Sequence, residues 1–311
     1  MNKIANRQVM CEVLIEEAKK NPDLLVLTSD SRGSASLNPF AQALPKQLIE
    51  VGIAEQNIVS ISAGLAHSGK RPFVASPAAF LSMRSIEQVK VDVAYSNTNV
   101  KLVGISGGVS YGALGMSHHS LQDFAVTRAI PNLQVLVPAD RFETEQMFKA
   151  LATSDQAAYI RLGRNPVQDV YTSTDYPFEI GKAVVLKEGT DVTLVGIGET
   201  VREVLTAAEL LSTEGISAEV INIHTLKPFD SETVVASAKK TGHVITVEEH
   251  SLYGGLGSAV SEALAEETGV KQKIVAFPDE ELVTGNTQEL FVYYGLSAAK
   301  VSETAQRFIG G

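Results

Sequence analysis

The stretch Val51-Gly52-Ile53-Ala54-Glu55-Gln56-Asn57 joins an apolar extended segment, residues 47–53, to a helix built from small and apolar residues. Open α/β sheets place the groups that contact ligands at such strand-to-helix junctions. Because Glu55 has the apolar neighbours Ala54 and Ile58, its carboxyl is expected to favour the protonated form unless a cation meets it. A glutamate that only satisfies free backbone N–H groups at a helix start is the alternative, and the local pattern alone favours it.

Short apolar strands alternate with helices along the chain on both sides of this stretch. The predicted strands cover residues 24–28, 70–76, 100–105, 133–138, 157–162, 191–197, 218–223, 243–247 and 274–276. This alternation is typical of α/β domains with an open, mostly parallel sheet flanked by helices. The periodicity lapses between 163 and 177, which predicts two domains, 1–165 and 178–311, joined by a linker at 166–177.

Composition excludes several classes of protein. The 311 residues are 44% hydrophobic and 20% charged, and their net charge of −10 does not favour nucleic acid or an anionic membrane as a partner. A single cysteine, Cys11, cannot form a disulfide framework. The first ten residues lack an apolar signal core, and no run of residues is apolar enough to span a membrane. A cytoplasmic location is therefore the expectation.

Three further polar features stand beside predicted strands. Asp30 lies in a polar turn after the first strand, and Arg161 lies inside an apolar strand, where a guanidinium needs an anionic partner. A long glycine-rich loop, 106–120, contains His118 and His119. Long polar loops are often functional, and an imidazole can transfer protons near neutral pH. A metal site at this histidine pair is not favoured, because no other ligand residue precedes it at a suitable spacing.

These features occur together with two further segments, Ile130-Pro131-Asn132 and Val137-Pro138-Ala139-Asp140. The whole chain resembles the C-terminal half of transketolase, and most of all the separately encoded C-terminal subunit of a split transketolase. The resemblance implies a pyrimidine-binding domain followed by a transketolase C-terminal domain, with thiamine diphosphate as the cofactor.

The resemblance also implies roles for individual residues. Glu55 would hydrogen-bond N1′ of the cofactor's aminopyrimidine, and a protonated carboxyl there would favour the reactive imino tautomer. His119 would contact the reacting sugar oxygen and assist proton transfer. The remaining implied residues are Phe80, Met83, Ile86 and Asp30 for the cofactor, and Ser34 and Arg161 for the sugar phosphate. Met83 and Ile86 stand where the family has aromatic residues.

Two glycines depart from the family pattern. Gly115 replaces the acid that reads the C2 hydroxyl, and Gly107 replaces a histidine that contacts phosphate. An unusual ketose or aldose is therefore possible as substrate.

The chain also lacks a Gly-Asp-Gly segment followed by Asn, which would hold the diphosphate and its Mg²⁺. The resemblance thus implies an N-terminal partner subunit that carries the diphosphate-binding domain, an α2β2 assembly, and ketol transfer between sugar phosphates only in the complex.

Other functions remain open at this point. The β subunit of a 2-oxoacid dehydrogenase E1 component would share the fold, the glutamate and the need for a partner. The Ser117-His118-His119 loop, with Ser34 and Arg161, favours sugar phosphates over that function. A deoxyxylulose-phosphate synthase is disfavoured because it carries both cofactor domains in one chain. A non-catalytic subunit that retained the fold is the alternative from another class.

Overall fold

A computed structural model describes residues 4–310 and contains two sheets flanked by helices. The strands are β1 (Leu24–Thr28), β2 (Leu48–Glu50), β3 (Arg71–Pro77), β4 (Lys101–Ile105), β5 (Leu133–Leu136), β6 (Ala157–Leu162), β7 (Val184–Lys187), β8 (Val192–Gly196), β9 (Ala218–Asn222), β10 (Thr225–Lys227), β11 (His243–Ser251) and β12 (Lys271–Phe277). The α-helices are α1 (Asn6–Lys20), α2 (Asn38–Ala43), α3 (Glu55–His67), α4 (Ala78–Met83), α5 (Ile86–Gln88), α6 (Asp123–Arg128), α7 (Arg141–Thr153), α8 (Thr200–Thr213), α9 (Ser231–Thr241), α10 (Leu256–Ala263), α11 (Thr287–Tyr294) and α12 (Ala298–Gly310).

The first sheet has seven strands in the order β10-β5-β6-β4-β3-β1-β2. The pairs from β5 to β2 are parallel, and every residue of β1, β4 and β6 is buried, as expected for strands covered by helices on both faces. Strand β10 comes from the second half of the chain and pairs antiparallel with β5. The second half therefore completes an edge of the first sheet.

The second sheet has five strands in the order β12-β11-β8-β9-β7, and only its edge strand β7 is antiparallel. One apolar core runs from the first sheet to the second, because Val74 and Tyr159 belong to the same cluster of buried side chains as Val195 and Ile221. The predicted fold class, two mostly parallel sheets flanked by helices, is confirmed.

The segment after β3 differs from its prediction. Apolar residues recur at helical spacing after β3, at Phe80, Met83, Ile86, Val89 and Val93, and this spacing predicts one continuous helix. The segment is instead divided into α4, α5 and a π-helix, Val89–Tyr95. The hydroxyls of Ser82 and Ser85 donate to the carbonyls of Ala78 and Leu81, four residues earlier. Such bonds from serine bend helices, and π-helical turns often occur near functional sites.

Other elements gave weak signals in the sequence. The extended segment 47–53 contains only the short strand β2, and β10 was missed because three residues carry little periodicity. Among residues 4–310, no helix is both long and apolar enough to cross a bilayer. The domain boundaries stay a prediction, and their outermost residues, 1–3 and 311, lie outside the described part of the chain.

Candidate active site

Glu55 is the first residue of α3 and lies just beyond the carboxyl end of β2. The chain reaches it through Gly52, whose φ of +72° is accessible to glycine at little cost. The Glu55 side chain is only 4% exposed. Its Oε2 forms an ion pair with Arg84 and accepts a hydrogen bond from Arg84 Nη1 at 2.6 Å. The sequence predicted a protonated carboxyl unless a cation meets it, and Arg84 is such a cation.

Arg84 caps the C-terminal end of α4 and connects Glu55 to the predicted aromatic pocket. Its guanidinium carbon lies 4.5 Å from the centre of the Phe80 ring, which is a cation–π contact. The Arg84 side chain is 46% exposed, so this contact lies at the surface rather than in the core. Spacing could have indicated the pair, because residues four apart lie on one helix face.

The two histidines of the glycine-rich loop have different surroundings. His118 is half-buried, and its ring lies edge-on to Phe80 at 5.3 Å and to Tyr111 at 5.4 Å. His119 is buried, and its Nε2 donates to the carbonyl of Gly112 at 3.0 Å. Within residues 4–310, its buried Nδ1 has no hydrogen-bond partner. Burial lowers the pKa of His119, so a neutral imidazole with a free acceptor nitrogen is favoured.

The same line of contacts continues towards the predicted substrate residues. The Arg164 guanidinium lies 5.3 Å from the Tyr111 ring, and Arg7 Nε donates to the Arg164 carbonyl at 2.9 Å. Arg7 Nη1 also donates to the carbonyl of Ser34. Burial and the nearby charge of Arg164 lower the pKa of Arg7, as expected for two cations held close together.

We name this line of contacting side chains the cation–aromatic row. Its members are Glu55, Arg84, Phe80, His118, Tyr111 and Arg164. The row brings Glu55 and Phe80, both predicted from sequence, into one connected region that reaches Ser34 through Arg7. Four of its members, Arg84, His118, Tyr111 and Arg164, were not predicted as site residues.

The remaining predicted cofactor residues lie beside the row. Met83 is 48% exposed at the end of α4, and Ile86 begins α5 and packs partly against the core. Asp30 is exposed in a turn with a φ of +54°. Glu50 ties that turn to the start of the Glu55 stretch, because its Oε1 accepts from the backbone N–H of both Asp30, at 2.7 Å, and Gly52, at 3.0 Å.

Arg161 does not belong to the row. It is 4% exposed, and its Nη2 donates to the Glu249 carboxylate at 3.1 Å and to the Glu249 carbonyl at 2.7 Å. Its Nη1 lies 3.5 Å from Asp123 Oδ1, and its guanidinium carbon lies 4.5 Å from the Phe124 ring. The anionic partner that the sequence required is thus supplied by the chain itself. Because the guanidinium is enclosed and paired, this placement does not favour the implied sugar-phosphate contact, which stays a prediction.

The packing of Arg161 also explains one departure from the family pattern. A Cβ on Gly107 would lie 2.3 Å from Arg161 Nε, and a Cβ on Gly108 would lie 2.0 Å from the Glu249 carboxyl carbon. A histidine at position 107 would therefore collide with Arg161. The glycine-rich loop is accordingly needed for close packing around this ion pair, and not only for a flexible site.

The row fits the pyrimidine half of the cofactor that the sequence suggested. It offers a nearly buried carboxyl at a helix N-terminus, linked through Arg84 to an aromatic ring, and the partly exposed Met83 precedes Arg84 in the chain. Between residues 4 and 310, no group of three or more His, Cys, Asp or Glu side chains is arranged to hold a metal ion.

Comparison with known proteins identifies the family. Residues 2–169 match the family described as "Transketolase, pyrimidine binding domain", and residues 181–301 match "Transketolase, C-terminal domain". The chain belongs to the transketolase family. It is 47% identical to an apulose-4-phosphate transketolase subunit of Phocaeicola vulgatus, over 99% of this chain and 98% of that protein.

Two further relatives are informative. The 6-deoxy-6-sulfo-D-fructose transketolase subunit SqwH of Clostridium sp. (strain MSTE9) is 40% identical, over 96% of this chain and 92% of that protein. A solved structure described as a split gene transketolase, inactive beta4 tetramer, superposes with a TM-score of 0.90 at 39% identity and covers 99% of both chains. The transketolase family depends on thiamine diphosphate, so the cofactor inferred from sequence agrees with the family. The roles of individual residues stay predictions.

Proposed function

We propose that this chain is the C-terminal subunit of a two-subunit transketolase that transfers a two-carbon ketol unit between sugar phosphates through thiamine diphosphate. The observation that carries the proposal is Glu55, a carboxyl 4% exposed at the start of α3, connected through Arg84 to the Phe80 ring. A buried carboxyl beside an aromatic ring can bind one edge of an aminopyrimidine and cover its face.

In this proposal the cofactor, when bound, supplies a thiazolium carbon that carries the ketol unit. Glu55 hydrogen-bonds pyrimidine N1′, and Phe80, Met83 and Ile86 surround the ring, with Asp30 at the rim. His119 assists proton transfer at the sugar oxygen. The neutral imidazole favoured by burial, with Nδ1 free of partners within 4–310, is suited to accept a proton.

For the anionic end of the sugar, we propose Arg164 rather than Arg161, together with Ser34. Arg164 is half-buried and stacked on Tyr111, and among residues 4–310 no carboxylate pairs with its guanidinium. A planar guanidinium binds phosphate or sulfonate through paired hydrogen bonds. The relatives' names include a sugar phosphate and a sulfo-sugar, which supports a substrate with one strongly anionic end.

We propose that the diphosphate and Mg²⁺ are held by a separate N-terminal subunit, in an α2β2 assembly. The support is the missing diphosphate motif in the sequence and the word "subunit" in the relatives' names. We also propose that a linker at 166–177 separates the two domains, 1–165 and 178–311, and that the protein is cytoplasmic.

The experiment combines the purified chain with an N-terminal transketolase subunit, thiamine diphosphate and Mg²⁺, and measures ketol transfer across several sugar phosphates. The mixture should be active and neither subunit should be active alone. Glu55→Gln should lower turnover by about 10²–10⁴-fold, because an amide cannot exchange a proton with the cofactor ring as a carboxyl can. Full activity of this chain alone, or near-normal activity of the Gln variant, would contradict the proposal. Pyruvate decarboxylation with a lipoyl acceptor would instead indicate the E1-type function.

A further inference from the structure

Arg84 contacts Glu55 in a way that leaves part of the carboxylate available. The ion pair at 2.6 Å uses Oε2, and within the described chain no other side chain or backbone N–H donates to this carboxylate. Glu55 Oε1 has no hydrogen-bond partner within residues 4–310, yet it is not among the fully buried atoms in that state. It is therefore accessible to solvent. One oxygen is thus held, and the other is open to a group that enters the site.

The orientation of Arg84 is itself fixed. Its guanidinium lies 4.5 Å from the centre of the Phe80 ring, and its backbone N–H donates to the Phe80 carbonyl at 2.9 Å. Stacking on an aromatic face restricts the plane of a guanidinium, so less conformational freedom is lost when it forms the ion pair. Phe80 is in turn contacted edge-on by His118. The cation that meets Glu55 is therefore held in place by the row.

We propose that Arg84 is a positioning residue of the cofactor site. It holds Glu55 through Oε2 and thereby sets Oε1 as the oxygen that meets N1′ of the cofactor's pyrimidine. The inference rests on the proposed function, and it adds that Arg84 fixes which oxygen of the Glu55 carboxyl faces the pyrimidine. Removal of Arg84 would leave a nearly buried carboxyl without its cation, so that the carboxyl would no longer be held in this orientation.

The test uses the reconstituted two-subunit complex with Mg²⁺ and no sugar. Two quantities are measured: the dissociation constant of thiamine diphosphate by calorimetry, and the rate at which the cofactor's C2 proton exchanges for deuterium, followed by NMR after acid quenching. Four complexes form a double-mutant cycle: wild type, Arg84→Met, Glu55→Gln and the double variant. If Arg84 acts through Glu55, its replacement should slow exchange by about tenfold or more in the wild-type background and have little effect in the Glu55→Gln background.

Two further variants separate positioning from stability. Arg84→Lys keeps a cation near Oε2 and should recover part of the exchange rate. Arg141→Met is the matched control, because Arg141 also pairs with a carboxylate, Asp169 at 3.0 Å, and lies 4.3 Å from a phenylalanine ring. Its complex should exchange at the wild-type rate.

Several results would overturn the inference. Wild-type exchange in the Arg84→Met complex, equal effects in both backgrounds, or tighter cofactor binding would show that Arg84 does not position Glu55. Tighter binding would instead mark Arg84 as a competitor for the pyrimidine site. If the wild-type complex itself failed to bind the cofactor or to accelerate exchange, the proposed function would fail, and this inference would fail with it.

Discussion

Two regions of the molecule contain the same three groups in different surroundings. In the cation–aromatic row, Arg84 pairs with Glu55 at 2.6 Å and lies 4.5 Å from the Phe80 ring. In the core, Arg161 pairs with Glu249 at 3.1 Å and lies 4.5 Å from the Phe124 ring. The arginine side chain is 46% exposed in the first region and 4% exposed in the second.

The difference shows that burial decides what such a group can do. A guanidinium enclosed with two carboxylates cannot exchange them for a ligand at low cost. Separating the guanidinium from the carboxylates would leave unpaired charges in a medium that solvates them poorly. A half-exposed guanidinium can change partners at little cost, since water replaces what it loses. The Arg161 region therefore joins the two halves of the chain, whereas the Arg84 region is available for a ligand.

The largest effect is expected from breaking the buried pair. Arg161→Met would leave the Glu249 and Asp123 carboxylates without their cation, and the free energy of unfolding should fall by about 3–5 kcal/mol. Urea unfolding of the purified chain, followed by circular dichroism, measures this loss. A loss below about 1 kcal/mol would mean that the enclosed cluster does not hold the two halves together.

A smaller effect, on substrate binding, is expected at the far end of the row. Arg164→Met should reduce kcat/KM for a phosphorylated ketose by about 10- to 100-fold, mainly through KM, because a charge-assisted hydrogen bond is lost. Steady-state kinetics of the reconstituted complex measures the change.

Two controls accompany this prediction. A ketose without the anionic group should be used equally well by wild type and variant. Arg307→Met, at an exposed position of α12 where Nε donates to the Glu303 carbonyl, should leave kcat/KM unchanged. An equal loss for charged and neutral sugars would remove Arg164 from the anion site.

A third prediction concerns a buried carboxyl with which no cation pairs among residues 4–310. Glu143 is fully buried and accepts from Ala139 N–H and Asn222 Nδ2, and burial raises its pKa from 4.5 to about 8. The folded state then binds more protons than the unfolded state between these values. Its contribution to stability is therefore fully present at low pH and is lost as pH rises towards about 8.

Thermal unfolding between about pH 6.5 and pH 8.5 tests this sign. Burial also brings the pKa of Lys101, Glu199 and Glu248 to between about 7 and about 8, so wild type is compared with Glu143→Gln, which retains all three groups. The wild-type Tm should fall by roughly 3 °C relative to the variant across this range. The variant should start from a lower Tm, since its amide cannot accept all the hydrogen bonds that the carboxyl accepts. A wild-type Tm that rises relative to the variant would contradict the prediction.

The smallest effect on stability is expected at Arg84. Arg84→Met should lower the free energy of unfolding by about 1–2 kcal/mol, less than Arg161→Met, because one carboxyl rather than two loses its cation and the arginine side of this pair is open to water. The same urea experiment used for Arg161→Met measures it. A loss as large as that of Arg161→Met would remove the contrast between the two regions.

Much of the fold could be predicted from sequence because its signals are local. Strands β1 and β6 were predicted at their observed bounds, since continuous apolar runs mark strands covered on both faces. The helix after β3 was predicted as one piece, because the serine-to-backbone bonds that divide it are invisible to apolar periodicity. Strand β10 was missed because its stability comes from pairing with β5, which lies far away in the chain.

The sequence by itself determined the two α/β sheets, the family, and the place of Glu55 at a strand-to-helix junction, because these follow from local periodicity and a contiguous motif. Only the tertiary structure decided which cation meets Glu55 and which arginine is enclosed. Arg84 and Glu55 are 29 residues apart, and Arg161 and Glu249 are 88 residues apart. No local pattern encodes such pairs, since the distance and burial that fix their energy arise only when the sheets and loops have packed.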